Sequence, residues 1–264
     1  MFLRPLISVF LTLIASASVG HEFWIEPAEY QVQSGANIVA DLRNGQNFSG
    51  RELAYFPKRF ERFDLVQAGK TTALQGRLGD IPAVQTRMDQ DGLLVIVHQT
   101  KAKTLNWTDW GKFAAFAAHK NFTNVKARHE ARDLPEKFFS ETYIRYAKAL
   151  VGVGTATGAD APTGLETEFV ALTNPYTDDS GTISVQLFYQ GTPRANAQIE
   201  VFDRDPESRV VISYLRTDDM GKATIPTHPG HVYLLDAVLL RPAPEDDKAV
   251  WQTLWAALTF AAPE

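Results

Sequence analysis

Short runs of apolar and β-branched residues, separated by turn residues, occupy most of the chain and constrain its fold more than any other feature. In the first half they include "EYQVQSG", "NIVADLRNG" and "GLLVIVHQT", with turn signals at Ser34-Gly35 and Asn44-Gly45. About seven further short runs in the last part of the chain have the spacing of an immunoglobulin-like sandwich. The pattern predicts a mainly β protein with two β-sandwich-like domains, the C-terminal one immunoglobulin-like.

Residues 107–150 lie between the two β regions and have helical features. Trp110 and Phe113 recur at helical spacing, and Thr108 before them is a candidate N-cap. These residues predict an amphipathic helix at the start of a helical insert.

A second helix is predicted after Asp133, because Asp133 and Glu136 have the spacing of a capping box. The apolar face of this helix and its stop are Phe139, Tyr143, Tyr146, Leu150 and Gly152. The predicted organisation is a signal peptide at 1–20, an N-terminal β domain at 21–106, the helical insert at 107–150, a linker at 151–165 and the C-terminal sandwich at 166–264.

The first 20 residues have the features of a secretory signal peptide. Arg4 precedes the apolar run "LISVFLTLIA", and the small residues "SASVG" follow it. Cleavage after Ala17 and cleavage after Gly20 both satisfy the small-residue rule, but only the second leaves a polar spacer after the apolar run. We therefore expect export to the periplasm and a mature chain that begins at His21.

A mature N-terminal histidine is a potential metal chelator, because its free α-amine and its ring Nδ1 belong to one residue. One further imidazole would complete a three-nitrogen site that suits Cu, Ni or Co. If cleavage occurs elsewhere, His21 is instead an ordinary residue at the edge of a strand. The sequence leaves both interpretations open.

The other histidines form no sequence-local metal motif, so any shared site must be assembled by folding. His98 follows an apolar strand and is either a ligand or a residue at the rim of the strand. His129 precedes the second predicted helix and is either a ligand or a solvated residue. His119 lies late in the first predicted helix, and His228 and His231 flank Pro229-Gly230 and are expected to be turn residues in solvent.

Composition excludes several classes of function. The chain has no cysteine, which excludes disulfides and thiolate metal sites. Its formal net charge is −5 and no basic run occurs, so we expect no nucleic-acid partner. No segment after the signal peptide has the roughly 20 apolar residues that span a bilayer, so the protein is expected to be peripheral to a membrane at most.

Five segments together resemble a known family: "HEFWIEP", "HEARDLPEKFFSETYIRYAKALVGVG", "GLETEFVALTNPY", "GTPRANAQIEVF" and "HVYLLDAVLLRP". The set is similar to a periplasmic family associated with cobalt and nickel uptake, also catalogued as domain of unknown function 4198. The resemblance implies a role in transition-metal uptake beside an ABC-type importer, and a mature chain that begins at the leading histidine. The positions that match the family pattern are His21, His129, Tyr143, Arg145 and Lys148.

The function expected from the sequence and the resemblance is capture and delivery of Ni, Co or Cu, without catalysis. His21 is the expected metal ligand, with His129 as first choice and His98 as second choice for the added imidazole. The expected partner is an ABC-type metal importer or an outer-membrane receptor. Two alternatives remain: a copper-dependent oxidase with an N-terminal histidine brace, and a non-metal adhesion or scaffold module.

Overall fold

The computed structural model describes residues 20–245 and 247–264, so most of the predicted signal peptide lies outside the described residues. The described residues form three β-sheets and two short α-helices. This architecture confirms the prediction of a mainly β protein. Within the same residues, no helix is both long and apolar enough to cross a membrane.

The first part of the chain supplies nine strands, a 3-10 turn and both helices. The strands are β1 (Glu22–Pro27), β2 (Gln31–Val32), β3 (Asn37–Gln46), β4 (Ser49–Leu53), β5 (Phe60–Gln67), β6 (Lys70–Ala73), β7 (Val84–Arg87), β8 (Gly92–Thr100) and β9 (Lys103–Trp107). The 3-10 turn is Pro57–Arg59, and the helices are α1 (Trp110–His119) and α2 (Val125–Glu130).

The second part of the chain supplies nine more strands. They are β10 (Phe139–Val153), β11 (Thr167–Ala171), β12 (Thr182–Tyr189), β13 (Thr192–Pro193), β14 (Gln198–Arg204), β15 (Val210–Arg216), β16 (Lys222–Pro226), β17 (Val232–Pro242) and β18 (Trp251–Ala261).

A ten-stranded sheet joins the two parts of the chain. Its main path runs β15-β14-β17-β18-β10-β8-β5-β6, and β2 and β9 pair with β10 outside that path. Strand β10 forms the junction, because it pairs in parallel with β18, in register from Glu141↔Trp251 to Ala149↔Thr259, and antiparallel with β8, from Leu150↔Val95 to Val153↔Gly92. The predicted boundary between two separate β domains must therefore be corrected, because strands from both sides of it hydrogen-bond in one sheet.

The two smaller sheets cover opposite faces of this large sheet. Successive side chains of a strand point to opposite faces, and β8 shows the division. Leu94 and Ile96 belong to the apolar cluster formed with β1 and β3, whereas Leu93, Val95 and Val97 belong to the cluster formed with β11 and β12. The result is a three-layer arrangement whose central strands are buried on both faces.

The prediction of a helix after Asp133 is wrong, because residues 139–153 form the central strand β10. Asp133 has a φ of +51°, which is not the extended conformation of an N-cap. A strand buried on both faces loses the alternation of apolar and polar residues that identifies a half-exposed strand. The remaining apolar spacing in β10 then matched a helical period by coincidence.

The first predicted helix is present as α1, with one difference at its start. Asp109 is the N-cap in place of Thr108, and its Oδ1 accepts a hydrogen bond from the backbone N of Lys112 at 3.1 Å. Phe113 and Phe116 are the buried face of this helix, and they pack with Trp251 and Trp255 of β18. The helical insert is therefore shorter than expected and lies against the large sheet.

Lys148 of β10 is 1% exposed and points into the layer that contains β11. Its Nζ lies 2.8 Å from a carboxylate oxygen of Asp160, 2.9 Å from the carbonyl oxygen of Phe169 and 3.5 Å from Glu168 Oε2. Burial raises the pKa of Asp160 and Lys148 opposes that rise. This lysine therefore neutralises a buried acidic pocket.

We expect Lys148→Ala to lower the free energy of unfolding by about 3–5 kcal/mol, because it leaves buried carboxylates without a counter-ion. Urea denaturation at neutral pH measures the effect. Lys137→Ala is the control, since Lys137 is exposed and its removal should change stability by less than about 0.5 kcal/mol. Equal stability of the two variants would contradict the proposed role of Lys148.

Candidate functional site

His21 is exposed immediately before β1, and the backbone on its C-terminal side is fixed by two side chains. Nη2 of Arg145 donates to the carbonyl oxygen of His21 at 2.8 Å. Nδ2 of Asn44 donates to the carbonyl oxygen of Glu22 at 2.8 Å. The start of β1 is therefore a rigid base for the ring of His21.

Gly20 occupies a position that accepts no larger residue without displacement of an aromatic ring. A β-carbon built there would lie 2.7 Å from the ring of Trp255 and 3.3 Å from the ring of Phe116. A small residue is also what a signal-peptide cleavage site requires at this place.

A buried group of charges lies beside the start of β1. Nζ of Lys120 lies 2.9 Å from Glu200 Oε2 and 3.1 Å from Asp236 Oδ2, and Nε2 of His119 lies 2.9 Å from Glu200 Oε1. Burial raises the pKa of Glu22 to about 8, and the negative charge of Asp236 adds to the rise. Glu22 is therefore protonated over much of the neutral range, unlike an ordinary surface glutamate.

This raised pKa predicts a pH dependence of stability. Between about pH 4.5 and pH 8 the folded chain holds a proton on Glu22 that the unfolded chain has released. The contribution of Glu22 to the free energy of unfolding must therefore fall as pH rises through this window, with a slope of up to about 1.4 kcal/mol per pH unit.

We expect Glu22→Gln to remove this part of the slope and to become more stable relative to the native chain as pH rises from 5 to 8. Urea denaturation of both proteins across this range measures the difference. Glu29→Gln is the control, because Glu29 is exposed and its variant should follow the native profile. Parallel profiles for Glu22→Gln and the native chain would contradict the assignment.

His98 lies inside β8 and is 2% exposed, so it is not the rim residue that one interpretation of the sequence favoured. Its ring packs against Phe63, Phe23 and Phe60, with centroid distances of 4.8, 5.0 and 5.4 Å. Burial, with a smaller contribution from the positive charge of Lys103, lowers the pKa of His98 to about 3. His98 is therefore a neutral imidazole, and its Nδ1 has no hydrogen-bond partner.

A cleft of about 90 Å³ borders His98 and includes Phe23, Asn44 and Arg145 in its lining. Phe23 lies two residues after His21, and Arg145 holds the His21 carbonyl. The cleft thus borders the start of β1, where the ring of Phe23 packs against His98.

His129 is buried within an aromatic cluster and is not solvated. Its Nδ1 accepts a hydrogen bond from Trp251 Nε1 at 3.0 Å, and its Nε2 donates to the carbonyl oxygen of Pro135 at 3.1 Å. The ring also packs against Trp110 and Phe139 at centroid distances of 4.7 and 4.9 Å. Both ring nitrogens are occupied, so a metal at His129 would have to displace the bond from Trp251.

We expect His129→Ala to lower the free energy of unfolding by about 2–4 kcal/mol, through a cavity and the loss of two buried hydrogen bonds. The affinity of the mature protein for Ni²⁺ should remain within about twofold of the native value. Urea denaturation and calorimetric titration measure the two effects. Lys126→Ala, on the exposed side of the same helix, is the control for stability. A loss of Ni²⁺ affinity without a loss of stability would instead identify His129 as a ligand.

Among residues 20–245 and 247–264, the histidine and carboxylate side chains that converge as a potential metal cluster are Asp203, His228 and His231. Their candidate ligand atoms all lie within 4.8 Å of one another. His228 and His231 are turn residues, as the sequence predicted, but both rings face Asp203. The Pro-Gly pair between the histidines is the sequence signal for this turn, whereas the contribution of Asp203 depends on a strand pairing that the sequence does not reveal.

The three sequence-predicted ligands are not brought together in one group. In the described part of the chain, no hydrogen bond, ion pair or ring contact joins His21 to His98 or to His129. Tyr143 and Arg145 lie on one face of β10 and Lys148 on the other, because a strand alternates its side chains.

The fold and these side chains define a mainly β protein with three layers of sheet and several candidate metal ligands. The chain belongs to the family described as domain of unknown function DUF4198, whose profile matches residues 18–241. Among curated proteins, no sequence matches at a significant level.

Three solved structures show weak similarity to the chain. The D0-D1 domain of intimin has 12% identity and a TM-score of 0.20, with 92% of this chain and 100% of that chain covered. A tetra-tandem repeat from the extending region of a large adhesion protein has 11% identity and a TM-score of 0.21, with 92% and 50% covered. Trypsin-activated alpha-2-macroglobulin from Escherichia coli has 12% identity and a TM-score of 0.23, with 94% and 16% covered. At these TM-scores the similarities carry no argument about function.

Proposed function

We propose that the protein is exported to the periplasm and binds a divalent transition metal, Ni, Co or Cu, through a mature N-terminal His21. The observation that carries the proposal is the position of His21, exposed at the start of a strand whose backbone is held by Arg145 and Asn44. The role is capture and delivery of the metal to an ABC-type importer or an outer-membrane receptor. No catalytic step is proposed.

The chelate consists of the α-amine of His21 and Nδ1 of the same residue. Nitrogen ligands of this kind suit late first-row divalent metals. Because the His21 carbonyl is held at 2.8 Å by Arg145, little backbone freedom has to be lost when the metal binds.

His98 is the better candidate for an added imidazole. It is neutral in the physiological range, its Nδ1 is unpartnered, and Phe23 connects it to the start of β1. A neutral imidazole is the form that binds a metal. At His129 both ring nitrogens have partners, so a metal there would have to displace the bond from Trp251.

The strongest test of the chelate is an additional glycine before His21 in the mature protein. The amine then becomes a peptide nitrogen, whose lone pair is delocalised, although every side chain is retained. We expect Ni²⁺ affinity at this site to fall by at least tenfold, measured by calorimetry at matched pH.

His21→Ala is the matched variant, since it keeps the free amine and removes the ring. The mass of each exported protein must first show that the native form begins at His21. The same number of Ni²⁺ sites, with the same affinities, in the native and glycine-extended forms would show that the N-terminal chelate does not exist. A native mature chain that begins at Ser18 would lead to the same conclusion.

A further inference from the structure

The surface around Asp203, far along the chain from His21, contains a preorganised set of metal-binding groups. Asp203 lies near the end of β14, and the two histidines lie in the connection between β16 and β17. Nδ1 of His228 is 3.0 Å from Asp203 Oδ2, and Nδ1 of His231 is 2.6 Å from Asp203 Oδ1. One carboxylate therefore faces two imidazoles, each through a different oxygen.

The connection that carries the histidines is a tight turn with little freedom. The backbone N of His231 donates to the carbonyl oxygen of His228 at 3.2 Å, and Gly230 between them has a φ of +74°. Proline at the second position and a positive-φ glycine at the third are the features of a type II turn. Such a turn fixes the two histidines at its first and last positions.

The turn is also anchored to its surroundings. The backbone N of Gly230 donates to the carbonyl oxygen of Ala262 at 3.1 Å. The backbone N of Ala262 donates in turn to the carbonyl oxygen of His231 at 2.9 Å. These bonds attach the turn to the chain just after β18. The centroids of the two histidine rings on this anchored turn are 5.1 Å apart.

Asp203 is oriented by a further group. The hydroxyl of Tyr233 accepts a hydrogen bond from the backbone N of His228 at 2.8 Å and donates to Asp203 Oδ2 at 3.2 Å. Asp203 and Tyr233 are also register partners in the pairing of β14 with β17. Residues that orient metal ligands through hydrogen bonds, as Tyr233 orients Asp203, are a regular feature of metal sites.

We propose that Asp203, His228 and His231 form a second divalent transition-metal site, independent of His21. Two imidazoles and one carboxylate suit Zn, Ni, Co and Cu, and the side chain of His228 is 63% exposed, which gives the metal access from solvent. The metal would bind between the carboxylate and the two Nδ1 atoms, and each neutral imidazole would then carry its proton on Nε2. This site needs no free α-amine and is therefore present whether or not the signal peptide has been removed.

The test uses Ni²⁺ alone and the glycine-extended protein, in which the proposed N-terminal chelate is disabled. We expect calorimetry to show one remaining site, and Asp203→Asn or His231→Ala to weaken it at least tenfold. Asp205→Asn is the matched control, because Asp205 lies two residues away and pairs with Arg209 at the surface. This control should retain the parent affinity.

His228→Gln separates an effect on metal binding from an effect on folding, because the ring that it removes is largely exposed. It should weaken Ni²⁺ binding while the apo melting temperature stays near the parent value. Unchanged Ni²⁺ affinity in all three cluster variants would overturn the inference and leave Asp203 as a hydrogen-bond acceptor for the turn. The result is independent of the first proposal, because the extra glycine acts only on His21 and the cluster variants act only here.

Discussion

The parallel pairing of β10 with β18 is the interaction on which the rest of the structure depends. In the main path of the large sheet, β10 lies between β8, β5 and β6 from the first part of the chain and β18, β17, β14 and β15 from its last part. Strands β10 and β18 are both buried on both faces, so their side chains contribute to the apolar core on each side of the large sheet. One face receives the sheet that contains β11 and β12, and the other receives the sheet of β1 and β3 together with the two helices.

Double burial also explains the polar side chains at this junction. A polar group removed from water must be paired, because an unpaired one costs about 1–3 kcal/mol. Glu141 therefore accepts hydrogen bonds from Trp107 Nε1 at 2.9 Å and from the hydroxyl of Thr253, and Trp255 Nε1 donates to Thr253 at 3.0 Å. This chain of bonds joins β9, β10 and β18 side by side below α1.

The sequence predicts the strands with one exposed face and the first helix, since both have a clear periodicity. It does not predict β10, because its burial on both faces removes the alternation and leaves a spacing that resembles a helix. A capping-box spacing alone also does not establish the start of a helix. Asp133 has this spacing with Glu136, but its φ is positive and no helix begins there.

The candidate metal ligands also have some features that the sequence predicts and others that it does not. The types of residue that bind metal, and the rigid turn at Pro229-Gly230, are visible in the sequence. Burial is not, so neither the lone pair left free on His98 nor the two bonds on His129 could be anticipated. The approach of Asp203 to the histidines requires β14 to pair with β17, which is a long-range property of the sheet.

The position of β18 has a consequence for the order of folding. Residue 141 pairs with residue 251, so the central seam of the sheet closes only after almost the whole described chain is available. Contacts between residues so distant in sequence are slow to form, because the loop between them must be ordered first. Until β18 is available, residues 141–149 of β10 lack the strand that pairs with them in parallel. The last strand of the chain is therefore needed before the buried core on either face of the sheet is complete.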